Sequence, residues 1–143
     1  DGSHTFNADR QAVWDALMDR DVLARCIPGC QRLDLVSEDT YEMELKIGVG
    51  AISGNYTGRV GVTDKTHLES YRMAVDGRGI GGSAKGAADL RLVERNGVTD
   101  VRVEGEAEIT GILARVGQRL LGSTSKMLMN QFFECIRSEI EGP

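Results

Sequence analysis

The stretch Val101 to Leu120, VRVEGEAEITGILARVGQRL, changes its hydrophobic period part-way along. Thr99, Val101, Val103 and Ala107 alternate with Asp100, Arg102, Glu104 and Glu106, the two-residue repeat of a strand with one wet face. From about Ile112 the period becomes helical and holds nearly to the end. Leu113, Val116, Leu120, Met127, Leu128, Gln131 and Cys135 form one stripe, opposite Arg115, Arg119, Lys126, Asn130 and Arg137. Such a helix spans roughly 43 Å at about 1.5 Å per residue. Leu121, Met129, Phe132, Phe133 and Ile136 widen the stripe, with Gly117, Gly122, Ser123 and Ser125 set among them. A long terminal helix that apolar needs a sheet to lie on, or a ligand or chain against its small residues.

The chain before it supplies the sheet. Ser3 to Phe6 reads as a short strand, and Asn7 as the N-cap of a helix from Ala8 to Met18 carrying Val13, Trp14, Leu17 and Met18 on one face. Asp19 or Asp21 opens a shorter helix, with Val22, Leu23, Cys26 and Ile27 on its face, and Pro28-Gly29 stops it. From Gln31 the period is two. Leu33 and Leu35 lead to the turn Ser37-Glu38-Asp39, followed by Tyr41, Met43, Leu45 and Ile47 against Glu42, Glu44 and Lys46. Tyr56, Val60 and Val62, then Tyr71, Met73 and Val75, then Ala84, Ala88, Leu90 and Leu92 continue the pattern, and Asn96-Gly97 marks a tight hairpin. The order is β-α-α-β(6)-α, an α+β fold with an antiparallel sheet, expected as one domain over residues 1–143.

Composition narrows the function. The chain has 143 residues, 41% hydrophobic and 27% charged, with a net charge of −5, the wrong sign for a nucleic-acid stripe. It contains no apolar run that could span a bilayer and no signal-peptide core. With three cysteines and no export signal, a cytoplasmic protein with reduced thiols is expected. Cys26 and Cys30 flank the Pro-Gly turn as CxxxC. That is neither the CxxC of redox and zinc motifs nor half of a four-ligand set. They read as structural thiols, the alternative being a reversible Cys26–Cys30 disulfide across the turn. No metal site is expected.

Eighteen glycines against two prolines is the unusual count. Gly48, Gly50, Gly54, Gly58 and Gly61 crowd one hairpin, and glycine weakens a strand. Either the sheet needs bulges and bends to coil around the last helix, or the missing side chains leave room for a ligand. Gly77-Arg78-Gly79-Ile80-Gly81-Gly82 is not a dinucleotide fingerprint, because a strand follows it instead of a helix. It reads as a hairpin loop able to gate a cavity. Catalytic candidates are scarce. His4 and His67 are expected on the surface, and inward strand positions carry only Tyr41, Tyr56 and Tyr71 as polar tips, so no catalytic residue is assigned. Asp100, Glu104, Glu106 and Glu108 read as a solvated face or a dock for a basic partner.

The order of elements resembles the helix-grip fold of the START-like (SRPBCC) and birch-pollen-allergen superfamily. Val13-Trp14-Asp15-Ala16-Leu17, Asp21-Val22-Leu23 and Cys26-Ile27-Pro28-Gly29-Cys30 resemble the opening of the carbon monoxide dehydrogenase G-subunit (CoxG) family. So do Gly48-Val49-Gly50-Ala51-Ile52-Ser53-Gly54, Tyr56-Thr57-Gly58, Gly82-Ser83-Ala84-Lys85-Gly86 and Gly111 to Leu120. The resemblance implies a non-catalytic accessory protein of a molybdenum hydroxylase of the carbon monoxide dehydrogenase type. It implies a lipophilic ligand, a respiratory quinone being the expected kind, held in the grip cavity without any intrinsic cofactor. It further implies recruitment of the enzyme to the membrane, with peripheral contact at its inner face. Longer members carry a membrane-attaching tail after the grip domain, whereas this chain stops at Pro143.

On this reading the ligand lies between the last helix and the sheet, against Tyr56, Tyr71, Met73, Leu120, Met127 and Gln131. Trp14, Leu17 and Ile27 close the other end, and the turn at Pro28-Gly29 sits at the rim beside the glycine-rich hairpin. Two other classes stay open: a ligand-free adaptor between proteins, and an enzyme on the same fold.

Overall fold

The computed structural model describes residues 2–48, 53–79, 82–116 and 118–142. Strand β1 (Gly2–Phe6) is followed by helices α1 (Arg10–Met18) and α2 (Arg20–Cys26). Then come β2 (Cys30–Ser37), β3 (Thr40–Ile47), β4 (Gly54–Thr66), β5 (Ser70–Gly79), β6 (Gly82–Arg95) and β7 (Val98–Ile109). A 3₁₀ segment, Gly111–Val116, leads into α3 (Gln118–Glu141). This is the expected β-α-α-β(6)-α order. All pairings are antiparallel in the sheet order β1-β7-β6-β5-β4-β3-β2, so the two short helices cross from one edge of the sheet to the other.

Local chemistry explains the joints. Asp9, not Asn7, caps α1: its carboxylate accepts from the Ala12 amide at 2.9 Å. One residue, Asp19, ends α1 and starts α2, its carboxylate accepting from the amides of Asp21 and Val22. At the Pro28-Gly29 turn Gly29 has φ +75°, and a Cβ there would lie 2.3 Å from the Lys46 carbonyl oxygen. The turn is thereby held against the end of β3, with the Lys46 amide donating to the Gly29 carbonyl at 2.8 Å. Asn96 and Gly97 both take positive φ, 53° and 78°, as a two-residue type I′ hairpin requires.

Large apolar side chains gather over one end of the inner sheet face. Phe6, Tyr71, Leu90, Leu92, Val101 and Val103 pack with Val13, Trp14 and Leu17 of α1, Val22 and Cys26 of α2, and Phe133 and Ile136 of α3. The helix face differs from the expected one. The residues of α3 that pack inward are Met129, Phe132, Phe133, Cys135, Ile136 and Ile140. At about 100° per residue, Met127 stands about 180° and Gln131 about 140° around from Ile136. Met127 is 37% exposed and Gln131 is also exposed. The expected stripe was centred on the wrong side because methionine and glutamine at helical spacing imitate an apolar face. Leu35 shares a face with Leu33 as expected but is 57% exposed, because β2 is an edge strand with register shifts near both ends.

The cysteines also differ. Cys26 and Cys135 are joined in a disulfide with a Cα–Cα distance of 5.2 Å, and Cys30 is the free thiol. Neither reduced thiols throughout nor a Cys26–Cys30 bridge is found. The partners are 109 residues apart, and only the packing of α2 on α3 brings them together.

Candidate functional site

The inner sheet face divides into two regions. Over the packed end, the register aligns Tyr71 with Leu90 and Leu90 with Val103, all bulky. Further along the same strands the aligned inner residues shrink. Val62, Met73, Ala88 and Gly105 make one rung, Val60, Val75, Gly86 and Ala107 the next, and Gly58, Gly77, Ala84 and Ile109 the third. Along these three rungs no carboxylate, lysine, arginine or histidine faces inward. Such a surface can hold apolar matter and offers no proton donor or acceptor of near-neutral pKa.

The glycines serve both of the expected purposes, at different positions. At Gly105 a Cβ would lie 2.5 Å from the Ala87 carbonyl oxygen, so that position is required by the close approach of β6 and β7. At Gly77 the nearest atoms to a Cβ are carbonyl oxygens at 3.9 Å, so a side chain would fit and its lack leaves space.

Of the nine expected ligand residues, Trp14, Leu17, Tyr71 and Met73 come together. Trp14 meets the Tyr71 ring edge-on, with centroids 5.7 Å apart at 89°, and meets His67 in the same manner at 82°. Leu17 is buried beside them, and Met73 packs against the cluster from the first small rung. Burial raises the Tyr71 hydroxyl pKa strongly, so this group stays a neutral phenol. Ile27 is half-buried at the end of α2. Tyr56 lies apart, at the far end of β4. Its ring covers Gly79, where a Cβ would come within 2.7 Å of Tyr56 Cδ1, and burial raises its hydroxyl pKa as well. Met127 and Gln131 face away from the core, and the Leu120 side chain lies outside the described residues.

A cleft of about 580 Å³ opens beside Tyr56, lined by Gln31, Leu45, Asn55, Arg78 and Gly79 among others. It brings Gln31, next to the Pro-Gly turn, and Gly79, in the glycine-rich hairpin, to one rim. The tip of that hairpin, residues 80–81, lies outside the described residues.

One residue was misplaced by the reading of the strands. His4 is half-buried on the inner face, opposite Val101, and its ring stacks on Phe133 with centroids 4.0 Å apart. Burial, and then the Arg137 guanidinium, lower its pKa, while Glu134 opposes them. The alternation through Phe6 could have put His4 inside. Among the described residues no group of three His, Cys, Asp or Glu could hold a metal ion, and no helix is long and apolar enough to cross a membrane.

A curved antiparallel sheet holding a C-terminal helix, with two short helices bridging its edges, defines a helix-grip protein of the START-like class. Solved structures of that class superpose on it. A START superfamily protein from Mycobacterium smegmatis matches with a TM-score of 0.78 at 9% identity, over 98% of this chain and 94% of that one. Ara h 8.0201 matches with a TM-score of 0.71 at 12% identity, over 99% of this chain and all (100%) of its own. A conserved protein from Geobacillus kaustophilus is much more similar, with a TM-score of 0.95 at 34% identity over 97% of this chain and 92% of that one. The chain belongs to the carbon monoxide dehydrogenase G-subunit (CoxG) family, whose sequence model matches residues 2–141. No curated protein is significantly similar to it in sequence.

Proposed function

We propose that the protein is a non-catalytic accessory module of a molybdenum hydroxylase of the carbon monoxide dehydrogenase type, and that it binds an uncharged lipophile, of which a respiratory quinone is the expected kind. The observation that carries this reading is the inner face over β4 to β7, where three successive rungs are built from Gly, Ala, Val, Met and Ile without an inward charge. The ligand lies between those rungs and α3, with Met73, Tyr71 and Trp14 at the closed end and Tyr56 near the opening. Burial of apolar ligand surface, at about 25 cal/mol per Å², supplies the affinity, and the tyrosine hydroxyls offer neutral hydrogen bonds to a carbonyl. An ionised fatty acid would find no inward cation on these rungs to offset its desolvation. The module then helps couple or recruit the partner enzyme to the membrane that holds the lipophile.

The test is mass spectrometry of an organic extract of the purified protein, followed by titration of the stripped protein with a long-chain quinone. Saturable binding of about one equivalent is expected. Protein that neither carries nor takes up an apolar molecule, yet co-purifies with the hydroxylase, is instead an adaptor.

A further inference from the structure

We infer that the Cys26–Cys135 disulfide is a redox-operated clasp that decides whether α3 can lift from the sheet; its effect on ligand exchange rests on the binding reading above. Cys26 ends α2 at a rigid corner. The Ile27 amide closes the helix onto the Leu23 carbonyl, and two residues on, Gly29 is bonded to Lys46 of β3. Cys135 is therefore fastened to the frame of the molecule and not to another moving part.

The bonds that tie α3 to other elements among the described residues lie close to that disulfide. Glu139 pairs with Arg25 of α2 at 2.5 Å, Arg137 donates to the Thr5 carbonyl of β1 at 2.9 Å, and Glu141 accepts from the Asn7 amide at 3.3 Å. Toward its start the helix presents exposed residues, including Gly122, Ser125, Lys126 and Met127, and a Cβ on Gly122 would meet nothing within 4 Å. Beneath that side lie the small rungs of the sheet. The helix is thus a lever fixed near one end, and the disulfide is its covalent pin. Without it the nearest link between α2 and α3 is the Arg25–Glu139 pair, whose side chains are partly solvated, and such a pair contributes only about 0–1 kcal/mol.

The chemistry is available on one side. Cys26 is 3% exposed and Cys135 is half-buried, so an incoming dithiol reaches the Cys135 sulfur. Its thiolate attacks Cys135 Sγ, the S–S bond breaks, and Cys26 leaves as a thiolate that takes up a proton. The second thiol of the reductant then displaces Cys135 as a thiol and closes its own disulfide. The protein gains two electrons and two protons, and the dithiol loses them. Burial raises the pKa of the third thiol, Cys30, which keeps it protonated and out of this exchange.

The test compares amide hydrogen exchange of the ligand-free protein with and without dithiothreitol. Reduction is expected to lower protection over residues 122–132 at least tenfold more than in β6 and β7. An equal loss in α3 and in the sheet would make the disulfide a general staple and overturn the clasp, as would three titratable thiols in the unreduced protein. Release of a bound uncharged fluorophore, N-phenyl-1-naphthylamine, is expected to be at least fivefold faster after reduction. A Cys26→Ser, Cys135→Ser double variant should release at the fast rate in both states, and Cys30→Ser should keep the response. Equal release rates in the two states overturn the control of ligand exchange. A probe that binds in neither state counts against the binding reading, and amide exchange then decides the clasp alone.

Discussion

His4 of β1 lies flat on Phe133 of α3, ring centroids 4.0 Å apart with 18° between the planes. This contact joins the edge of the sheet to the gripped helix. Burial and Arg137 keep the imidazole pKa below its ordinary value, so the folded protein favours the neutral ring. Between that lowered value and the unfolded value of about 6.5 the unfolded chain binds more protons. Stability contributed by the neutral ring is present above about pH 6.5 and lost as the pH falls through the folded pKa. Thermal unfolding followed from pH 7.5 to 5 should show this loss, and His4→Phe should remove that component of it. His4→Ala should cost about 0.5–1.5 kcal/mol at neutral pH through the lost ring contact.

The inward face of α3 can be checked with two substitutions. Ile136 is fully buried, and Ile136→Ala should destabilise by about 2–5 kcal/mol in urea unfolding. Met127→Ala, on the opposite side of the helix, should stay within about 0.5 kcal/mol of the parent. Comparable losses at both sites would restore the stripe expected from spacing.

Gly29→Ala places a methyl group against the Lys46 carbonyl at a positive φ. It should cost at least about 1–2 kcal/mol, whereas Gly61→Ala, with nothing within 4 Å of the new atom, should change stability by less than about 0.5 kcal/mol. Denaturant midpoints of the two variants measure the difference.

Gly77→Val puts a branched side chain into the space over the third rung without backbone collision at its Cβ. Affinity for an apolar probe should fall at least tenfold while the unfolding midpoint changes little, since valine suits a strand. Unchanged affinity would place the ligand elsewhere.

Much of this molecule was legible in its amino-acid order. Strict alternation from Leu33 to Ala107 and the Asn96-Gly97 turn yielded the strands, and the period change after Ile109 yielded the last helix. The inner face of the sheet followed from parity, since successive residues of a strand must point to opposite sides. His4 was misplaced although the same parity through Phe6 applied to it. On α3 the side facing inward was not legible, because apolar residues cover more than half of its circumference and spacing alone leaves the centre of the stripe free to rotate.

The composition of each element settles its type, its approximate ends and, for strands, its two faces, since those depend on neighbours within a few residues. The pairing of Cys26 with Cys135, the choice of Ile136 over Met127 as an inward residue, and the division of the sheet into a filled end and a small-residue end depend on how α3 sits across the strands. That placement is the joint result of contacts between residues as much as 134 positions apart, such as Asn7 with Glu141. Local periodicity carries no information about contacts of that range.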